Sequence, residues 1–404
     1  MKVVFVNRFF FPDISPTSQI LSDLAFHLAA HHEVHVVTSR LRYDQPDARL
    51  PARETIDRVT VHRVWTSRFG RAHIVGVAID YLTFYVAAAI RIFRLARHDD
   101  LVVAMTDPPM ISIPAAFAAR LKGARLVNWL QDIFPEVAWA LDFKGFPRWI
   151  ERALAWCRNR SLHAAARNVA LGDRMAARVA ALGIPPDRIR VIHNWSSGDQ
   201  IRPLDPTGNP LRKAWGLDGT FVVGYSGNLG RAHDFEALLG AAERLATRDD
   251  ILFLLIGAGN RRDAVEAEVR ARGLTNVLFR PYQPRELLPH SLTAPDCHIV
   301  SLRPSLEGLI VPSKLYSSLA AGRPVIFIGS ETGEVARVMA SAEPFGFRVS
   351  PDDVSGLTTA IERLAGNRTE AAALGANGRR LFETQFDRPI ALAQWASVID
   401  EIRT

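Results

Sequence analysis

Cysteine is almost missing: Cys157 and Cys297 are the only two among 404 residues, and neither has partners at metal-binding spacing. A disulfide framework and a structural zinc are thereby excluded, and a reducing compartment is expected. The opening "MKVVFV" lacks the length and cleavage site of a secretory signal and begins a strand instead. Also missing is an uncharged run of the roughly 20 residues that cross a bilayer as a helix. The most apolar stretch, "IVGVAIDYLTFYVAAAIRIFRLAR" (74–97), offers ten uncharged residues between Asp80 and Arg91. No low-complexity tract, short-period repeat, zinc finger or basic-aromatic recognition motif occurs, so nucleic acid is not the expected partner.

What is present is ordinary in bulk, 48% apolar and 23% charged, but uneven in charge. Residues 1–200 carry 26 Lys and Arg against 18 Asp and Glu, whereas the remainder carries 23 against 24. A basic first half and a neutral second half point to different partners, with an anionic membrane surface as the candidate for the first. Residues 74–97 place Arg91, Arg94 and Arg97 at the end of an apolar helix, and "PRWIERALAWCRNR" from Pro147 mixes tryptophan with arginine. Two readings stand side by side: helices lying in a lipid interface, or amphipathic helices packed on a sheet with solvated arginines.

A chain of this length exceeds one core and predicts two domains. Short β-rich runs alternate with helical stretches: Val3–Asn7, Val34–Thr38, Leu101–Met105, Arg125–Trp129, Asn168–Leu171 and Arg190–His193. After "RPLDPTGNP" (202–210) the alternation restarts with Phe221–Tyr225, Ile251–Ile256, Val277–Phe279, Cys297–Ser301 and Val325–Ile328. Continuous apolar strands separated by helices predict parallel sheets covered on both faces. The expected architecture is α/β: two doubly wound, Rossmann-like domains facing across a cleft. They span 1–200 and 201–388, with a last helix near 389–404 free to pack on either. Ligands of such folds bind at the carboxyl ends of the strands.

Four strand ends carry candidate chemistry. "GYSGNLGRAHDF" from Gly224 gives a glycine loop where backbone can approach a phosphate, with Arg231 as a planar donor; any tight strand-to-helix turn looks similar. "IGAGNRRD" begins like a dinucleotide fingerprint, but Arg262 stands where the third glycine belongs, so a tight structural turn is expected. In "EGLIVPSKLYSSLAAGRPVIFIG" (307–329), Lys314 falls in a first helical turn, where a cation is disfavoured unless it helps to hold an anion. With Arg231 it would bracket a diphosphate, and Glu307–Gly308 precede it in a loop. In the first half, a helix begins near Thr17 after the first strand. "WLQDIFPE" puts Gln131 and Asp132 past another strand end, where an acid serves either as base or sugar ligand or as a local cap.

Taken in order, "SGNLG", "IGAG", "RPYQPRELLPHSLTAPDCHIVSLRPS" and "EG…PSKLY…LAAGRPVI" resemble the retaining family-4 glycosyltransferases of the GT-B fold. "VIHNW" and "NRFFFPD…LAFHLAAHHEVHVVT" extend the resemblance, which within the family is nearest to bacterial O-antigen, colanic-acid and exopolysaccharide transferases. That resemblance implies a nucleotide-diphosphate sugar as donor, a lipid-linked acceptor, no metal and no other cofactor. It places Gly227, Asn228, Arg231, Tyr282, Glu307, Gly308, Ser313, Lys314 and Ser317 around the donor. It puts Thr17, Gln131 and Asp132 on the acceptor side, and gives Asp132, Glu307, Arg231 and Lys314 as the catalytic candidates. This chain departs from the pattern by carrying Asn228 and His233 where most relatives have Arg and Lys, so Arg231 is the expected substitute. The family's second acid is replaced by Leu315 or, on another alignment, Ser317. The implied location is the inner face of the cytoplasmic membrane, with peripheral contact through 74–97 and 147–160. Rival readings are a sugar-nucleotide 2-epimerase, a dinucleotide-dependent dehydrogenase, and a non-catalytic carbohydrate-binding relative.

Overall fold

A computed structural model describes residues 1–42, 50–70, 74–141 and 147–403. The chain forms two compact units, Met1–His193 with Leu392–Thr404, and Asn194–Ala391.

The first unit is built on an eight-stranded sheet in the order β3-β4-β2-β1-β5-β6-β7-β8. Its strands are β1 (Lys2–Val6), β2 (Glu33–Ser39), β3 (Arg53–Ile56), β4 (Val59–Val64), β5 (Leu101–Ala104), β6 (Arg125–Trp129), β7 (Arg167–Ala170) and β8 (Ile189–Val191). All pairs are parallel except β3 with β4. That hairpin was not expected from sequence. Asp57 and Arg58 form its turn with φ of 44° and 69°, the left-handed geometry of a two-residue hairpin, without the Asn-Gly or Asp-Gly signature that normally announces it.

The second unit holds a six-stranded, wholly parallel sheet in the order β11-β10-β9-β12-β13-β14. These strands are β9 (Phe221–Ser226), β10 (Ile251–Ile256), β11 (Val277–Arg280), β12 (Cys297–Ser301), β13 (Val325–Ile328) and β14 (Gly346–Val349). Its central strands are buried apolar runs, as sheets covered on both faces require. β14, "GFRV", is a half-exposed edge strand with no such run to reveal it.

The boundary falls at His193–Asn194 rather than near residue 200. The reason is local anchoring of the connecting chain to the second unit: Arg379 donates to Ile201 O (2.7 Å), Arg323 to Leu204 O (2.8 Å) and Asn209 to His290 O (2.7 Å). The last helix joins the first unit. Trp395, fully buried, packs its ring 4.6 Å from that of Trp129 in β6, and Glu401 pairs with Arg190 at 2.7 Å.

Each sheet has one point where strand order reverses, between β1 and β5 in the first and between β9 and β12 in the second. Loops leaving the carboxyl ends of those strands are where doubly wound folds bind ligands.

Candidate functional site

In the second unit the loop after β9 and the loop after β10 are zipped together. Gly227 N donates to Ile256 O (2.8 Å), Leu229 N to Ala258 O (2.8 Å) and Arg261 N to Leu229 O (3.0 Å). Contact is so close that a Cβ on Gly257 would lie 2.0 Å from Gly227 O. The "IGAG" turn is therefore a floor under the Gly227 loop, at the carboxyl end of the sheet. Tyr225, buried in β9, donates its hydroxyl to Asn228 O (2.9 Å) and fixes the loop from below.

Lys314 opens the short Lys314–Ala320 helix and lays its stem across Gly227, with Cε 2.8 Å from where a Cβ would stand. Its Nζ lies 2.8 Å from His233 Nε2 and 4.9 Å above the Tyr225 ring centre. His233 in turn places Nδ1 2.6 Å from Ser301 O, the last carbonyl of β12. Burial lowers the Lys314 ammonium to a pKa of about 7. Burial, and then the neighbouring Lys314, lower the His233 imidazole to about 3, so that ring is neutral. The hydrogen-bond partner of Lys314 is thus His233. Arg231 sits exposed on the surface of the same loop. The helix itself has only seven residues and its N-cap, Ser313, is exposed and makes no side-chain cap; side-chain contacts, more than helix dipole, hold the lysine.

Glu307 accepts from Glu334 N (3.1 Å) and so caps the Glu334–Ser341 helix, while Gly308 takes φ +72° and turns the chain toward Lys314. Ser317 donates to Lys314 O (3.1 Å) within the helix, and Tyr282 is half exposed after β11.

In the first unit, the loops after β1 and β5 meet through Arg8 N, which donates to Asp107 O (2.6 Å). Asn7 Nδ2 lies 3.5 Å from Thr17 Oγ1 at the start of the Pro16–Leu28 helix. Gln131 is buried beyond β6. Asp132 lines a small cavity with Thr106, Met110, Ser112 and Arg158, where burial, and then Asp107, raise its pKa to about 6. Sequence reasoning passed over Tyr225, Asp107 and Arg8; only their places at the ends of β9, β5 and β1 signal them. Among the described residues no group of three or more His, Cys, Asp or Glu side chains could hold a metal ion.

The Ile74–Leu95 helix divides into two stripes. Asp80, Phe84, Ala88 and Ile92 are buried against the first sheet. Val75, Leu82, Val86, Ile90 and Phe93 stand exposed on the other side. Asp80 turns inward, accepting from Ser67 Oγ (2.6 Å), Phe69 N (3.0 Å) and Gly70 N (3.1 Å). The outward stripe is therefore longer than the ten-residue limit read from sequence, and Val75–Leu95, at mean hydropathy 1.6, has the length and composition to cross a membrane. Because its inner stripe belongs to the core, the packed helix lies on the unit. Phe117 and Leu121 on the adjoining Ser112–Lys122 helix, and Trp149 and Trp156 on Arg148–Ala164, are also exposed.

Two family models match the chain: "Glycosyl transferase 4-like domain" over residues 17–195 and "Glycosyl transferases group 1" over 209–381. Among curated relatives, WcaI of Escherichia coli K12, named for colanic acid biosynthesis, is 28% identical over 250 residues, 61% of either chain. A GDP-mannose-dependent alpha-mannosyltransferase of Mycolicibacterium smegmatis is 28% identical over 263 residues, 64% of either chain. Both matches span a little under two thirds of the relative. Among solved structures, HepE of Anabaena, in complex with UDP and glucose, superposes with a TM-score of 0.74 at 17% identity, covering 99% of this chain and all of that one. Sucrose-phosphate synthase of Thermosynechococcus elongatus gives 0.78 at 16%, over 100% and 99%.

Proposed function

Since the chain belongs to the family-4 glycosyltransferases of the GT-B fold, we propose that it moves a sugar from a nucleotide-diphosphate sugar onto a polyprenyl-diphosphate-linked glycan. The transfer retains the anomeric configuration, needs no metal or other cofactor, and serves bacterial surface-polysaccharide synthesis. The observation that carries this reading is Lys314: a part-buried cation, held over a glycine loop at the strand-order reversal of the second sheet, with no carboxylate paired to it among the described residues. Such a group matches the charge that develops on a departing diphosphate, and stabilising that charge is commonly the largest catalytic contribution.

The reaction breaks the bond between the sugar's anomeric carbon and the diphosphate oxygen and forms a bond from the same carbon to an acceptor hydroxyl on the same face. The acceptor's proton passes to the departing diphosphate. Lys314 meets that diphosphate from within the site, and Arg231 and the Gly227–Asn228 backbone meet it from the loop. Glu307 and Gly308 border the transferred sugar, Tyr282 the base, and Ser313 and Ser317 the remainder of the donor. Thr17, Gln131 and Asp132 belong to the acceptor side on the first unit. The exposed apolar stripe of Ile74–Leu95, with Arg91, Arg94 and Arg97 at its end, favours a peripheral position on the anionic inner face of the cytoplasmic membrane, where a lipid-linked acceptor resides. The fold of HepE, itself solved with UDP and glucose, supports a nucleotide-sugar partner.

The test is a thermal-shift panel of UDP, GDP, dTDP, CMP, NAD and NADP. At a hundred times its dissociation constant a ligand stabilises by about 2.7 kcal/mol. A rise with one nucleoside diphosphate, lost in Lys314→Ala, is expected; a rise with NAD or NADP alone overturns the proposal. Incubation of the matching nucleotide sugar with a lipid-linked glycan then separates transfer from epimerisation, which consumes donor without acceptor.

A further inference from the structure

We infer that His233 is a positioning residue for Lys314, and that through this pair the capture of an anionic sugar diphosphate by the second unit takes up a proton. The inference rests on the reading of that unit as a nucleotide-sugar site and adds how the site is charged before and after the donor arrives.

The geometry fixes the imidazole. Its Nδ1 faces the Ser301 carbonyl at 2.6 Å and must carry the proton to bond there. Nε2 is left as an acceptor, and it lies 2.8 Å from Lys314 Nζ. One N–H of the lysine is thereby directed at His233, and the group sits over the Tyr225 ring while its stem is confined by Gly227. The remaining Nζ hydrogens are aimed by this arrangement instead of by the flexible stem. None of the groups holding Nζ is an anion.

The titratable and charged groups around the pair are Tyr225 in β9, which itself senses Tyr282 after β11, and Arg303 in the loop after β12. No carboxylate pairs with Lys314 among the described residues, and its depression to about 7 has burial as its cause. A part-buried ammonium without counter-ion is disfavoured, so the free site holds a neutral amine for much of the time above that pH. A bound diphosphate supplies the missing negative charge and draws a proton from solvent onto Nζ. No covalent bond changes; one proton moves from buffer to lysine.

The sign follows. Below pH 7 the lysine is already charged and donor affinity is independent of pH. Above it each donor must bring a proton with it, so affinity falls by roughly tenfold per pH unit until the pKa of the bound state is reached.

The experiment is calorimetric titration of the whole chain with UDP-glucose, GDP-mannose and dTDP-glucose at about pH 6 and about pH 8.5, each in two buffers of different protonation enthalpy. These diphosphate diesters do not change the charge of their phosphates over that range, so proton uptake reports the protein. The expected result for the donor that binds is uptake near one proton at the higher pH and near none at the lower, with at least roughly tenfold weaker binding at the higher. Lys314→Met should abolish the uptake. His233→Gln, whose amide both donates to Ser301 O and accepts from Lys314, should hold affinity within about threefold, and His233→Leu should lose roughly tenfold or more. Equal affinity and no uptake at the two pH values, in a wild-type protein that binds a donor, overturns the inference alone. Equal affinity of the Gln and Leu variants removes His233 from its positioning role. No binding of any of the three donors at either pH overturns the nucleotide-sugar reading together with it.

Discussion

The two units share a plan and differ in what they place on it. Each is a parallel-dominated sheet with a single reversal of strand order, between β1 and β5 in one and between β9 and β12 in the other. At the second reversal the loops are thin: glycines at 227, 257 and 259 let two backbones touch, and Lys314 lies over them with no carboxylate paired to it among the described residues. At the first the loops carry bulk and charge, with Arg8 stacked over Phe9 and Tyr81, Asp13 holding Ser15 N at 2.8 Å, and Asp107 near Asp132. Their outer surfaces differ likewise, since among the described residues the first unit alone exposes a long apolar helix stripe ended by arginines. Strand order sets where a ligand can sit, whereas loop residues set its chemistry.

The strongest way to break this contrast is to remove the cation of the second unit. Lys314→Ala is expected to lower kcat/KM by at least about 100-fold, the usual cost of deleting one group that stabilises developing charge, and Arg231→Ala, exposed as it is, only by severalfold. Steady-state kinetics with the donor identified by thermal shift decides it; equal losses would return Arg231 to parity. Next in size is Gly257→Ala. Its Cβ would meet Gly227 O at 2.0 Å, and its φ of +143° suits glycine, so a loss of about 1–3 kcal/mol in urea unfolding is expected, as for other overpacked sites, along with loss of donor binding.

The surface of the first unit is tested by Leu82→Glu with Val86→Glu. Both side chains are more than half exposed (60% and 54%), so Tm should hold within error while sedimentation with anionic vesicles falls by roughly tenfold. Vesicle binding that is unchanged, or indifferent to lipid charge, would remove the membrane contact. The smallest effect is expected at Asp132. Its carboxyl has a raised pKa of about 6, so the folded state carries a cost when the group ionises, complete above pH 6 and absent below the ordinary carboxylate value. Asp132→Asn should therefore raise Tm at neutral pH and leave it unchanged in strong acid. If Asp132 also acts as a base, the same variant removes a fall in rate as pH drops through 6.

Much of the fold was legible because its carriers are apolar runs. Val3–Val6, Ile251–Ile256 and Val325–Ile328 have no polar face to offer and can be little else than strands within a covered sheet. What was missed lacked that signal: β3 and β4 turn at Asp57–Arg58 without glycine, and β14 is a short edge strand. At the site, Lys314 could be singled out because a cation at a helix start contradicts local preference. Its partner could not be, because His233 lies 81 positions away and only the pairing of β9 with β12 brings the two loops together. Arg231 was singled out as a second diphosphate donor because charge is visible in sequence, whereas the direction a side chain takes from a loop is not. Asp80 shows the same limit: it interrupts the apolar segment on paper and points inward in space.

The placement of Trp395 against Trp129 has a consequence for how the molecule is made. A ribosome completes the whole of the second unit, residues 194–391, before the helix that covers Trp129 has been synthesised. Until then the first unit has an open seam along β6, and the nascent chain carries an unfinished domain at its front and a finished one behind it. Truncation after Ala391, which removes Trp395, should thus leave the second unit as it is and loosen the first, with the added protease cutting falling in residues before Asn194.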